Sequence, residues 1–195
     1  PAQEEFERAQ LHCADLSRVS QSEKEELIPG DNPIVFVNYG AKQSIINNFK
    51  DMRLPLVTVP FDTKAEAIAA LKPRLIFLSN GPGDPRDLHE EIAEVKKMLG
   101  LGVPMRGICL GHQLLTLALG AKINRLPFGQ RGVNHPCLEH ESGEILITSQ
   151  NHGYATDDES FAAILNDNIL GKELFVSYRS LFDQSIEGLA TTDHF

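Results

Sequence analysis

Hydrophobic positions are arranged in two different ways along the chain. From Ile34 to Gly120, apolar runs of strand length alternate with stretches whose apolar residues recur at helical spacing. The runs are "IVFVNYG", "LPLVTVP", "RLIFLSN" and "VPMRGIC". Between and after them stand "AKQSIINNFKDM", with Ile45, Ile46 and Phe49 on one face, then "TKAEAIAALK", "RDLHEEIAEVKKMLG" and "GHQLLTLALG". Lys96, Lys97 and Gly100 close the third of these stretches as a helix C-terminus should close. Strand followed by helix, repeated in this way, predicts a parallel sheet, because parallel neighbours need a crossover connection.

The pattern changes after Gly120. The segment 124–154 is rich in glycine, proline and polar residues, with "EILITS" as one strand, and "LFVSYRS" and "SIEGLAT" follow as two more. No long helical stretch separates these runs, so antiparallel pairing is expected. The fold class read from the chain is α/β. It is an open, mostly parallel doubly wound (flavodoxin-like) sheet with helices on both faces and an antiparallel C-terminal part. Residues 1–32 are polar and acidic and end in "LIPGDNP". They read as a linker or the remnant of a preceding domain, with a short helix over "EEFERAQ". Residues 33–195 read as one domain.

Composition narrows the classes of partner. A net charge of −9 argues against nucleic acid and against an anionic membrane surface. No apolar run approaches the roughly 20 residues of a membrane span. Cys13, Cys109 and Cys137 show no C-x-x-C spacing. They fit neither a disulfide framework nor a metal site, and they suit a reducing cytoplasm. The first residues lack the basic and apolar blocks of a signal peptide and an initiator methionine, which reads as a processed or excised chain.

Candidate chemistry lies at the carboxyl ends of the expected strands, where open α/β sheets hold ligands. "GICLGHQ" has the form of a nucleophile elbow centred on Cys109, with Gly107 and Gly111 removing the Cβ atoms that would collide in the turn. The helix that follows would aim its amides at the thiol and favour thiolate, and the Leu110 amide would face an oxyanion. Spacing alone leaves open a buried cysteine beside unrelated glycines. "LSNGPGDP" offers Gly81 and Gly83, whose backbone would let a ligand approach closely, or it is simply a turn. "QNHGY" offers an amide, an imidazole and a phenol, or is a polar turn.

Taken in order, "LSNGPGDP", "GICLGHQ" and "QNHGY" resemble the class I (triad-type) glutamine amidotransferases. "FGQRGVNHP" and "NYGAKQSII" make the resemblance most like the glutaminase of the carbamoyl-phosphate synthetase small subunit, over roughly residues 34–195. The resemblance implies that Cys109 attacks the side-chain amide of L-glutamine. It implies that Gly81, Gly83, Leu110, Gln113, Asn151, Gly153 and Tyr154 contact the substrate. Ammonia would pass through a tunnel to a large synthetase subunit, which uses ATP and bicarbonate to make carbamoyl phosphate for arginine or pyrimidine biosynthesis. No cofactor and no metal are expected in this chain.

The resemblance also implies a histidine base in an "HPE" motif, and the sequence contains none. The domain therefore reads as lacking its C-terminal end, and the chain as the central portion of a longer subunit with little or no glutamine hydrolysis. His112, His135, His140, His152 and His194 are the other histidines considered as a base, and none has a carboxylate at a suitable sequence spacing. Two other readings stand beside this one. The first is a catalytically dead interaction module that binds a synthase partner. The second is an anthranilate- or guanylate-type amidotransferase, against which "FGQRGVNHP" speaks. Arg106 in a central strand would need a partner or solvent. Gln130 and Asn38 replace residues that are often histidine and aspartate in the family. Phe128, Phe161 and Phe182 read as core fillers, and "HEEIAEVKK" as a solvated helix face.

Overall fold

A computed structural model describes residues 24–192. The helix expected over "EEFERAQ" and His194 lie outside the described residues. The chain divides into two compact units, the first ending at Leu114 and the second beginning at Leu115.

The first unit is built on a sheet of β1 (Glu25–Ile28), β2 (Ile34–Asn38), β3 (Leu56–Pro60), β4 (Leu75–Leu78) and β5 (Met105–Gly107). Its strand order is β1-β3-β2-β4-β5. β2 pairs in parallel with both β3 and β4, and β4 in parallel with β5. Ile34, Val35, Phe36 and Val37 are all buried, the continuous apolar run of a parallel strand covered on both faces. Helices α1 (Gln43–Asp51), α2 (Ala65–Ala70) and α3 (His89–Leu99) fill the connections. The expected face of α1 is the one that packs: Ile45, Ile46 and Phe49 lie against Ile34, Phe36 and Leu56. Phe49 meets Phe77 at 4.5 Å and stands edge-on to Phe36 at 5.4 Å, arrangements that add to simple area burial.

Three details differ from the sequence reading. Glu25–Ile28, expected within the linker, pair antiparallel with β3 at the sheet edge. Arg106 needs no acidic mate, because β5 is the last strand in the order and Arg106 is exposed. The third is Glu94, expected on a solvated face but buried. It accepts the Ala65 N–H at 2.9 Å, so it satisfies a donor at the start of α2, and it also binds Lys97 at 2.9 Å. These bonds from Ala65 and Lys97 outweigh burial and hold its carboxyl below the usual range, with Lys64 assisting.

The last helix that starts in the first unit is α4 (Leu110–Leu119). The second unit is a closed barrel in the order β6-β7-β9-β8, formed by β6 (Ile123–Glu139), β7 (Ile145–Thr156), β8 (Leu174–Ser180) and β9 (Ile186–Thr191). All its pairings are antiparallel. A short helix, α5 (Asp158–Ile164), brings Phe161 into a core with Ala121, Leu174 and Ile186. Asp157 caps it by accepting the Ser160 N–H.

β6 is the element the hydrophobic pattern hid. Its register with β7 breaks between Arg125 and Gln130, which face Tyr154 and His152. Residues 126–129 on β6 therefore stand against Gly153 alone on β7. Phe128 projects from this bulge at 88% exposure, and Phe182, in the turn after β8, is 62% exposed. Of the three phenylalanines read as core fillers, only Phe161 is one.

Candidate active site

The turn from β5 into α4 places Cys109 at φ +53°, in the left-handed region that residues other than glycine rarely enter. Two glycines make the turn feasible. A Cβ on Gly107 would come within 2.6 Å of the Gly111 carbonyl carbon, and one on Gly111 within 2.2 Å of the Leu78 carbonyl oxygen. The turn is tied to the end of β4: the Ile108 N–H donates to Leu78 O at 3.1 Å and the Gly111 N–H to Ser79 O at 3.0 Å. The Cys109 carbonyl accepts the Gln113 N–H at 3.0 Å, so the helix begins directly on the cysteine. A non-glycine residue held at positive φ by its neighbours is backbone strain of the kind that gathers at reactive centres.

The glycine loop after β4 packs against this turn. A Cβ on Gly81 would meet Tyr39 O at 2.3 Å and Leu110 Cδ2 at 2.7 Å. Gly81 thus sits on the residue that follows Cys109. Gly83 has φ +99°. Ser79 fastens the loop, with its Oγ accepting the Tyr39 N–H at 2.9 Å and donating to Asn80 O at 2.8 Å. Asn38, at the end of β2, accepts the Gly40 and Ala41 N–H groups and shapes the "NYG" turn. The side-chain oxygen of Asn80 is buried and has no partner among the described residues. Gln113 is buried one turn into α4.

Electrostatics at Cys109 differ from the expectation of a ready thiolate. Burial pushes the thiol above its ordinary value, while the Leu110 N–H and then the charge of Lys42 pull the other way without overcoming it. A short helix start does not offset the loss of water around the sulfur. Lys42 carries no motif of its own. Its position immediately before α1, at a strand end, is the sequence signal that points to it.

Asn151, Gly153 and Tyr154 lie on β7 in the second unit. Asn151 is exposed and faces Arg131 in the register; Tyr154 is half-buried and faces Arg125. Between them His152 has what the sequence spacing does not reveal, a carboxylate partner. Its Nε2 lies 3.0 Å from Glu187 Oε2, with the two side chains 11% and 6% exposed. The pairing is invisible in sequence because Glu187 comes from β9, far along the chain. The remaining sequence signal is the alternation of Asp183, Ser185 and Glu187 entering that strand.

Residues 35–194 match the family described as "Glutamine amidotransferase class-I". The chain belongs to this family. Curated relatives agree. The chain is 41% identical over 174 residues to the carbamoyl phosphate synthase small chain of Clostridium perfringens, a match that covers 89% of this chain and 46% of that one. It is 40% identical over 182 residues to the small chain from Bacillus cereus, covering 93% and 47% respectively. The chain thus spans about half the length of the curated relatives it matches. Among solved structures, a protein from Thermoplasma acidophilum described as a putative GMP synthase component aligns with a TM-score of 0.66 at 15% identity. That match covers 85% of this chain and 81% of that one. A glutamine amidotransferase from Methylobacillus flagellatus aligns at 0.62 with 14% identity, covering 84% and 67%. These two show the amidotransferase fold. Among the described residues no helix is long and apolar enough to cross a membrane.

Proposed function

We propose that this amidotransferase domain attacks the side-chain amide of L-glutamine with the Cys109 sulfur and supplies ammonia to a large synthetase subunit. That partner would use ATP and bicarbonate to form carbamoyl phosphate, feeding arginine or pyrimidine biosynthesis in the cytoplasm. The observation that carries the reading is Cys109 at positive φ between two glycines whose Cβ positions are already occupied.

The sulfur adds to the amide carbon, and the C–N bond breaks as nitrogen takes a proton and leaves as ammonia. The γ-glutamyl thioester is then hydrolysed by water to glutamate and the free thiol. The Leu110 N–H and the loop at Gly81 and Gly83 supply donors for the developing oxyanion. Gln113, Asn151, Gly153 and Tyr154 are glutamine contacts, a role supported by their match to the family motifs.

The chain by itself turns over glutamine poorly. The thiol is protonated at neutral pH, and the sequence has no "HPE" to deprotonate it. His152 does not serve, because its Nδ1 is already bonded to the Tyr154 carbonyl oxygen at 2.9 Å and its Nε2 lies 3.0 Å from Glu187 Oε2, so neither ring nitrogen is open to a thiol. The same two observations favour the second reading, a domain that binds a synthase partner without hydrolysing glutamine. Ammonia release by the purified chain, alone and with the large synthetase chain added, tests both. Slow release that the large chain speeds up supports the glutaminase. Brisk release by the chain alone overturns the claim of weak turnover. Binding of the large chain with no ammonia in either case supports the second reading.

A further inference from the structure

The loop after β4 needs glycine at residue 81 for want of space, since a Cβ there would stand 2.3 Å from Tyr39 O. The same glycine lets the Asn80–Gly81 peptide take either of two opposite orientations at little cost. The carbonyl and N–H of a trans peptide point in opposite directions. One orientation therefore turns the Asn80 carbonyl toward Ser79 and the Gly81 N–H away from it, and the other reverses both. Pro82 has no N–H, so the orientation at Gly81 decides whether this part of the loop presents a donor.

Ser79 makes the choice. It is fully buried, and each of its polar groups is bonded. Its N–H donates to Val37 O at 3.1 Å, and its carbonyl accepts the Gly111 N–H at 3.0 Å. Its Oγ accepts the Tyr39 N–H at 2.9 Å, which leaves the hydroxyl hydrogen for Asn80 O at 2.8 Å. The Asn80 carbonyl is thus held toward Ser79, and the Gly81 N–H faces the other way. That N–H meets no acceptor among the described residues. The Cβ position of Gly81 is 2.7 Å from Leu110 Cδ2, so the open donor belongs to a residue packed on the one that follows Cys109.

We propose that Ser79 is a positioning residue: its hydroxyl pins the Asn80–Gly81 peptide so that the Gly81 N–H is aimed at the amide oxygen of glutamine as negative charge develops there. This rests on the glutaminase reading. Ser79 is shut off from water, so solvent competes little for the bonds that set the peptide. The bond from Gly111 to Ser79 O ties the pin to the bend that carries Cys109, so donor and nucleophile share one anchor. The donor is in place before charge appears and does not have to turn at the moment of reaction. Without the hydroxyl, Asn80 O loses its partner and the glycine peptide is free to turn. The planar amide of glutamine carries little charge and is bound much as before, whereas the tetrahedral state loses a donor.

The test compares the 195-residue chain with its Ser79→Ala variant on two ligands. L-Glutamine reports binding of the planar amide. L-Glutamate γ-semialdehyde reports the tetrahedral state: the Cys109 sulfur bonds to the aldehyde carbon, the C=O π bond opens, the thiol hydrogen passes to the oxygen, and nothing leaves. Calorimetry should show aldehyde affinity about tenfold or more weaker in the variant, with L-glutamine affinity within about twofold of the parent. A loss as large for L-glutamine as for the aldehyde, or no loss for either, overturns the proposal. A second readout needs no variant. Nitrogen-15 NMR of the parent should show the Gly81 amide proton moving downfield when the aldehyde binds, and an unmoved Gly81 amide overturns the proposal. If the parent binds neither ligand, the glutaminase reading itself falls, and the role of Ser79 with it.

Discussion

The carbonyl oxygen of Leu78 stands 2.2 Å from the point where a Cβ on Gly111 would lie. β4 and the start of α4 are thus in backbone contact, with no room for a side chain between them. This contact sets the bend on which Cys109 is raised. Replacing Gly111 with alanine forces the helix away from the strand. G111A should lose about 3 kcal/mol or more of stability, at the upper end for overpacking because the obstacle is backbone. Thermal unfolding of parent and variant checks this, and a Tm within a degree of the parent contradicts it.

Cys109 should react as a buried thiol. Its raised value means that alkylation by a small neutral reagent is slow at neutral pH and still climbing at pH values where an exposed cysteine has levelled off. Lys42→Met removes a positive charge that lowers the value, so the variant's profile should move further to alkaline pH. Mass-spectrometric alkylation rates against pH check both statements.

Tyr39 is buried, and its hydroxyl has no partner among the described residues. Burial, and then the charge of Glu91, push its ionisation far above the usual phenol range. The hydroxyl contributes desolvation cost without a bond. Tyr39→Phe should leave stability unchanged or raise it by about 1 kcal/mol, read by denaturant unfolding. A marked loss would show a partner for that oxygen.

Glu94 should make the first unit sensitive to acid. Its carboxyl is held below its unfolded value, so the stability it contributes is present above that value and is lost as pH falls through the lower, folded one. Glu94→Ala should lower Tm at neutral pH, and the gap to the parent should shrink on acidification. A gap that stays constant contradicts the assignment.

The first unit is legible in the sequence because its signals are local. An apolar run such as "IVFV" can only be a covered strand or a buried helix, and its length and the glycine after it decide for the strand. The glycines beside Cys109 likewise announce a tight bend. The misreadings come from residues whose fate depends on distant partners. Glu94 looks solvated until Ala65 of another helix offers it an amide. Phe128 looks like core until the β6 bulge carries it outward. β6 itself carries glycine and proline, which mark a bulged strand as readily as a loop. His152 cannot be matched with Glu187 from spacing, because sequence does not record which strands close a barrel. The thiolate expectation fails for a physical reason as well. A helix start is visible in the sequence, and the burial of the sulfur that outweighs it is not.

The role of Cys109 is tested most directly by covalent labelling of the chain with a glutamine-shaped electrophile at mildly alkaline pH, followed by mass spectrometry. A single adduct is expected, on Cys109, slowed by excess L-glutamine and absent in Cys109→Ser. Labelling that falls on Cys13 or Cys137, or that L-glutamine does not slow, would contradict it.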